Sequence, residues 1–218
     1  LDQSATKGLA SITAEMMGEG AGNLGALAFE DAVQSLGKIP VDFTALGVDM
    51  MTIAAHKMGG PVGVSALVVR QNIAIAPLLV GGGQELRRRA GTENVAAIAG
   101  FAKAVEIIDL AHMQKLRGWL DVMEKSLPQA VVFGASAPRL PNTSCLALPD
   151  LEQEVRLMKL DLAGFAVSAG SACSSGRVEP SHVLLAMGLP REVAENSLRI
   201  SVGRFTTETD VDVAVAQI

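Results

Sequence analysis

The chain has 218 residues, a formal net charge of -5, 49% hydrophobic residues and only 3% aromatic residues (six Phe, one Trp, no Tyr). The apolar content excludes a disordered chain. The scarcity of aromatics argues against a stacking platform for single strands, and the acidic balance against a duplex-binding footprint, so no direct nucleic-acid partner is expected. No apolar stretch is long enough to span a bilayer, and the first residues carry neither a basic n-region nor an apolar h-region, so a soluble, cytoplasmic protein with no membrane partner is expected.

In chain order, residues 11–17 read as a short helix stopped by Gly18, Gly20 and Gly22. Residues 26–30, 48–54 and 65–70 are short apolar runs, and 73–80 holds one more around Pro77. Such runs ending in polar residues suit strands of a sheet buried on both faces. From 94 to 127 there is no proline, and Val95, Ile98, Phe101, Ala102, Val105, Ile108 and Leu116 recur at helical spacing. That pattern predicts one long helix ending at Pro128, with Gly118 as its weak point. Strands follow at 130–133, 143–148 and 165–168, with a helix at 151–160. Short helices are predicted at 180–187 and 191–197, a strand at 198–202, and a closing helix at 207–217 capped by Thr206 or Thr207. The second half is thus α+β in pattern.

Several residues carry possible chemistry. Lys57 follows a strand and precedes Gly59-Gly-Pro61. An amine held at the end of a buried strand would lose solvation and could react with an aldehyde as a free base, although a surface loop lysine is the commoner case. Asp31, also after an apolar run, could pair with a buried cation or simply cap a helix. Of the two cysteines, Cys145 lies inside an apolar strand and reads as a small core residue. Cys173 lies in Ser168-Ala-Gly-Ser-Ala-Cys-Ser-Ser-Gly176, where small polar residues suit a loop able to carry a reactive thiol. Neither cysteine has the spacing of a zinc site, and no metal is expected. Arg199, in a β-like run, could clamp a carboxylate or join an ion pair. Arg87-Arg-Arg89 reads as a solvated face, and Gly91-Thr92 as a weak phosphate-binding signal.

The segments Asp31-Ala-Val-Gln-Ser-x-Gly-Lys38, Ala55-His-Lys57, Gly59-Gly-Pro-x-Gly63 and Gly81-Gly-Gly-Gln-Glu85 occur in one order with four more. These are Arg89-Ala-Gly-Thr-Glu-Asn94, Gly170-Ser-Ala-Cys-Ser-Ser-Gly176, Pro180-Ser-His-Val183 and Ser197-Leu-Arg199. Order and wording resemble the cysteine desulfurases of the NifS/IscS type, class-V aminotransferase-like enzymes that depend on pyridoxal 5'-phosphate. The resemblance implies an α/β, fold-type I architecture. It implies an N-terminal segment over 1–20, part of the large cofactor-binding domain over 21–93, and a linking helix with a smaller α+β domain over 94–218.

It also implies roles. Lys57 matches the lysine that binds the cofactor aldehyde covalently, and Asp31 the carboxylate paired with the pyridinium nitrogen. Gln34 matches the partner of the ring hydroxyl oxygen, His56 a phosphate contact, and Thr92 a contact to the neighbouring subunit's phosphate. Cys173 matches the sulfur acceptor and Arg199 the residue binding the substrate carboxylate. The implied partners are L-cysteine, a second copy of the chain in a homodimer, and an iron–sulfur scaffold or other sulfur-acceptor protein. The alternatives are another lyase or aminotransferase of the same fold, or an inactive remnant that only dimerises or docks an acceptor.

Two departures stand out. Ala54 replaces the phosphate-binding serine of the family's Ser-x-His-Lys motif. The stretch holding its Gly-x-Thr-Glu turn, ring-stacking histidine and cofactor-contacting asparagine finds no match, so the chain is expected to lack much of the large domain.

Overall fold

The computed structural model describes residues 35–149, 151–169 and 180–218. The chain divides into two compact units that meet in sequence between Leu110 and Ala111. The readings at 11–17 and 26–30 lie outside the described residues.

In the first unit, β1 (Met50–Ala54) and β2 (Ser65–Val69) form an antiparallel pair, with Met50 opposite Val69 and Ala54 opposite Ser65. Both strands fall where apolar runs predict them. The sheet is not buried on both faces, however, since Thr52, Ser65 and Leu67 are exposed. A pair of antiparallel strands can be covered on one face only when little else packs on it. Val48 and Met51 form the buried centre, with Val41, Phe43, Leu46, Ile53 and Val68 around them. Arg70 fastens the hairpin's base, its Nε donating to Val48 O at 2.7 Å while its guanidinium lies 5.8 Å from the Phe43 ring centre. Residues 73–80 form no strand among the described residues. Pro77 offers no N–H to a ladder, which makes this run a poor partner for β2.

Helix α1 (Val95–Glu106) closes the first unit, and α2 (Leu110–Lys125) opens the second. The single long helix expected over 94–127 is therefore two helices, parted at residues 107–109 and not at Gly118, which lies inside α2. The apolar period runs through the break because each helix buries its own face. Phe101 and Ala104 are buried in α1, and Leu116, Leu120 and Met123 in α2. Asn94 starts α1, its side chain accepting the Ala97 N–H.

The second unit is built on an antiparallel sheet in the order β3-β4-β6-β5. Its strands are β3 (Val131–Val132), β4 (Thr143–Ala147), β5 (Ser168–Ala169) and β6 (Ser197–Ser201). The period of two sorts each strand's side chains to opposite faces. On one face Leu146, Leu148, Leu198 and Ile200 pack with Leu116, Leu120 and Met123 of α2, and Leu160 of α3 (Gln153–Leu162). Val211 of α6 (Glu208–Gln217) joins that core, and Thr207 begins α6 through a capping box with Asp210. On the other face Phe133 and Ala147 pack with Leu184 of α4 (His182–Ala186) and Ala194 of α5 (Arg191–Glu195), with Cys145 alongside. This unit is α+β, as expected.

A charged network joins α2 to the first of these faces. Glu124 Oε1 accepts from Arg117 Nη2 and Arg139 Nη1, both at 2.8 Å, and from Ser144 Oγ at 2.7 Å. Burial pushes the Glu124 carboxyl up, but hydrogen bonds from Arg139, Ser144 and Arg117 outweigh it and hold the group down at about 2.

Candidate active site

Lys57 sits on a single 3-10 turn, Ala55–Met58, that continues β1. The turn is pinned at both ends. Ala55 N–H donates to Val64 O at 3.2 Å, and Gly60 N–H donates to Ala55 O at 2.9 Å. Gly59 adopts φ 82°, a left-handed conformation that glycine enters without steric cost. At Gly60 a Cβ would lie 2.9 Å from Ala55 Cβ and 3.0 Å from Ala104 Cβ, and at Gly100 one would lie 2.6 Å from Pro61 Cγ. The turn is thus seated on α1 by missing side chains. Small residues, abundant in the sequence, here allow backbone to approach backbone.

His56 and Lys57 both project from this turn and are exposed. Of the two readings of Lys57, a shielded amine at the end of a buried strand and a surface loop lysine, its exposure agrees with the second. Ala55 is the residue buried under the turn, and the two that follow it point outward. Thr92 is also exposed, two residues before the Asn94 cap. Arg87, Arg88 and Arg89 are exposed as predicted, following a turn in which Glu85, Leu86 and Arg87 all have positive φ. Asp31, Gln34 and Cys173 lie outside the described residues.

Arg199 belongs to the second unit, on β6. It lies directly opposite Cys145 of β4 on one side and Ser168 of β5 on the other. Directly paired residues share a face, so the row Cys145–Arg199–Ser168 lies on the side that α4 and α5 cover. The Arg199 Nε is buried and has no hydrogen-bond partner among the described residues. Cys145 is half-buried; burial pushes its thiol up, against a smaller opposing pull from the Arg199 charge. Sequence reading placed Cys145 in the core but missed its place beside Arg199, because strand pairing between distant segments leaves no local signal.

Among the described residues, no group of three or more His, Cys, Asp or Glu side chains is placed to hold a metal, and no helix is long and apolar enough to cross a membrane. The donors present suit a cofactor bearing an aldehyde and a phosphate. A primary amine and an imidazole stand open on a turn whose backbone is fixed, and the amine can bond a carbonyl carbon.

Residues 4–213 match the family described as Aminotransferase class-V, and the chain belongs to that family. Within it, the likeness is to cysteine desulfurases of the NifS/IscS kind. The chain is 43% identical over 194 residues to a cysteine desulfurase of Enterobacter agglomerans, covering 86% of this chain and 48% of that protein. It is 44% identical over 189 residues to a protein named cysteine desulfurase IscS of Dictyoglomus turgidum, covering 84% and 48%. Among solved structures it resembles a NifS-like protein from Rickettsia africae, with TM-score 0.72 and 36% identity over 85% of this chain and 50% of that one. The chain therefore spans about half the length of the relatives it matches.

Proposed function

We propose that this chain carries the reacting lysine and thiol of a cysteine desulfurase, which takes sulfur from L-cysteine, leaves L-alanine and passes the sulfur to an acceptor. The observation that carries this reading is the extended likeness to cysteine desulfurases across a family match that includes both Lys57 and Cys173. The exposed amine of Lys57 on its pinned turn supports it. Residues 21–93 would serve the large cofactor domain and 94–218 the smaller one, in a cytoplasmic homodimer.

Pyridoxal 5'-phosphate, when bound, supplies a protonated ring that withdraws electrons from the Cα of the amino acid. Lys57 would hold the cofactor and then move a proton at its Nζ. His56 would bind the phosphate, with Thr92 reaching the phosphate of a second copy. Asp31 would keep the ring nitrogen protonated, and Gln34 would bind the ring hydroxyl oxygen. Arg199 would orient L-cysteine through its carboxylate. The Cys173 thiolate would bond to the substrate sulfur as the substrate C–S bond breaks, leaving a persulfide for an iron–sulfur scaffold or another sulfur acceptor.

Protein supplied with pyridoxal 5'-phosphate and L-cysteine is expected to release alanine and sulfide. Cys173→Ala should end sulfur release while cofactor still attaches to Lys57, and Lys57→Ala should abolish cofactor trapping by borohydride. Desulfuration by Cys173→Ala at the parental rate would remove the assignment of that thiol.

A further inference from the structure

An arginine whose Nε is buried without an acceptor is uncommon, because a buried donor left unmade forfeits its hydration with nothing in return. Among the described residues Arg199 has no acceptor for its buried Nε. Its two cross-strand neighbours, Cys145 and Ser168, are uncharged. Cross-strand pairs put Cβ atoms within about 5.5 Å, close enough for an aspartate at either position to take the guanidinium as an internal partner. No described carboxylate forms an ion pair with Arg199.

We propose that Cys145 and Ser168 are positioning residues, whose uncharged side chains flank Arg199 on the sheet and leave its guanidinium available to a substrate carboxylate. This rests on the reading of Arg199 as the carboxylate-binding residue. The thiol suits the task because it fills space as a small apolar group and accepts hydrogen bonds weakly. Its half-burial and its contact with the Phe133, Ala147 and Ala194 cluster fix it beside the arginine.

The test compares Cys145→Asp with Cys145→Asn, which share a shape and differ in charge. In the chain loaded with cofactor, Cys145→Asp should raise KM for L-cysteine at least about tenfold with kcat little changed, the size of one lost charge-assisted hydrogen bond. Cys145→Asn should lose far less. Equal KM values for the two would overturn the proposal, since a purely structural role responds to shape.

A second readout needs no cofactor. In a double-mutant cycle of urea stability, Cys145→Asp and Arg199→Gln should couple, the aspartate being tolerated better when the arginine is present. Additive effects would overturn the proposal as well. Should Cys145→Asp fail to fold, Ser168→Asp makes the same comparison against Ser168→Asn from the other flank. Arg199→Gln alone separates the two levels. If it leaves KM unchanged while the cycle still couples, the reading of Arg199 as the carboxylate site fails, and the proposal falls with it. If it raises KM and the cycle is additive, only the roles of Cys145 and Ser168 fail.

Discussion

Lys57 and Arg199 are carried by backbone of opposite kinds. Lys57 rides on a four-residue turn held by glycines, where Gly59, Gly60 and Gly100 let the chain lie against itself. Arg199 rides on an interior strand with partners on both sides and an apolar core beneath it. The turn fixes its lysine by removing side chains, and the sheet fixes its arginine by packing them. The first arrangement leaves the amine exposed. The second half-buries the arginine and leaves its Nε without an acceptor among the described residues.

The comparison predicts different sensitivities. The largest loss should come from the sheet unit, where Leu120 is fully buried in the core. Leu120→Ala is expected to cost about 3 kcal/mol in urea unfolding, because a cavity there cannot collapse under a sheet and three helices. Next is Glu124→Ala, which leaves Arg117 and Arg139 without their shared acceptor and should cost about 2 kcal/mol. The same carboxyl gives a pH signature. Its folded value, about 2, lies below the ordinary 4.5, so its contribution is whole above pH 4.5 and disappears as pH falls towards 2. Glu124→Gln should flatten the loss of stability across that window.

Gly60→Ala in the turn unit should cost about 1–2 kcal/mol, since the new methyl meets Ala55 and Ala104 at close to 3 Å. Its more telling effect is on cofactor trapping at Lys57, which should fall although the lysine itself is untouched. If trapping is unchanged, the seat on α1 does not position Lys57. The smallest effect belongs to Lys103→Ala, which removes the exposed pair with Glu106 and should shift stability by less than about 0.5 kcal/mol.

Much of this fold was legible in the sequence. β1 and β2 stand where apolar runs end in polar residues, α6 begins at a threonine cap, and Arg87 to Arg89 are solvated. The failures share a cause. The break between α1 and α2 leaves the apolar period intact, since Ile107 and Ile108 continue it while the helix stops. Residues 73–80 have strand-like composition but no ladder among the described residues. The sequence leaves Lys57 open between a shielded and a surface amine, because exposure depends on what covers the turn. Of the candidate site, the identities of Lys57, His56 and Arg199 could be read from local motifs. Their surroundings could not, because Gly60 against Ala104 and Cys145 beside Arg199 are contacts between distant segments.

The two faces of the second sheet also differ in how they should open. One is covered by α2, α3 and α6, of 16, 10 and 10 residues. The other is covered by α4 and α5, of five residues each, too short to hold helical form without the sheet beneath them. Amide hydrogen exchange should therefore reach α4 and α5 through small local openings while α2 waits for the whole unit to unfold. The side that yields first is the side bearing Arg199.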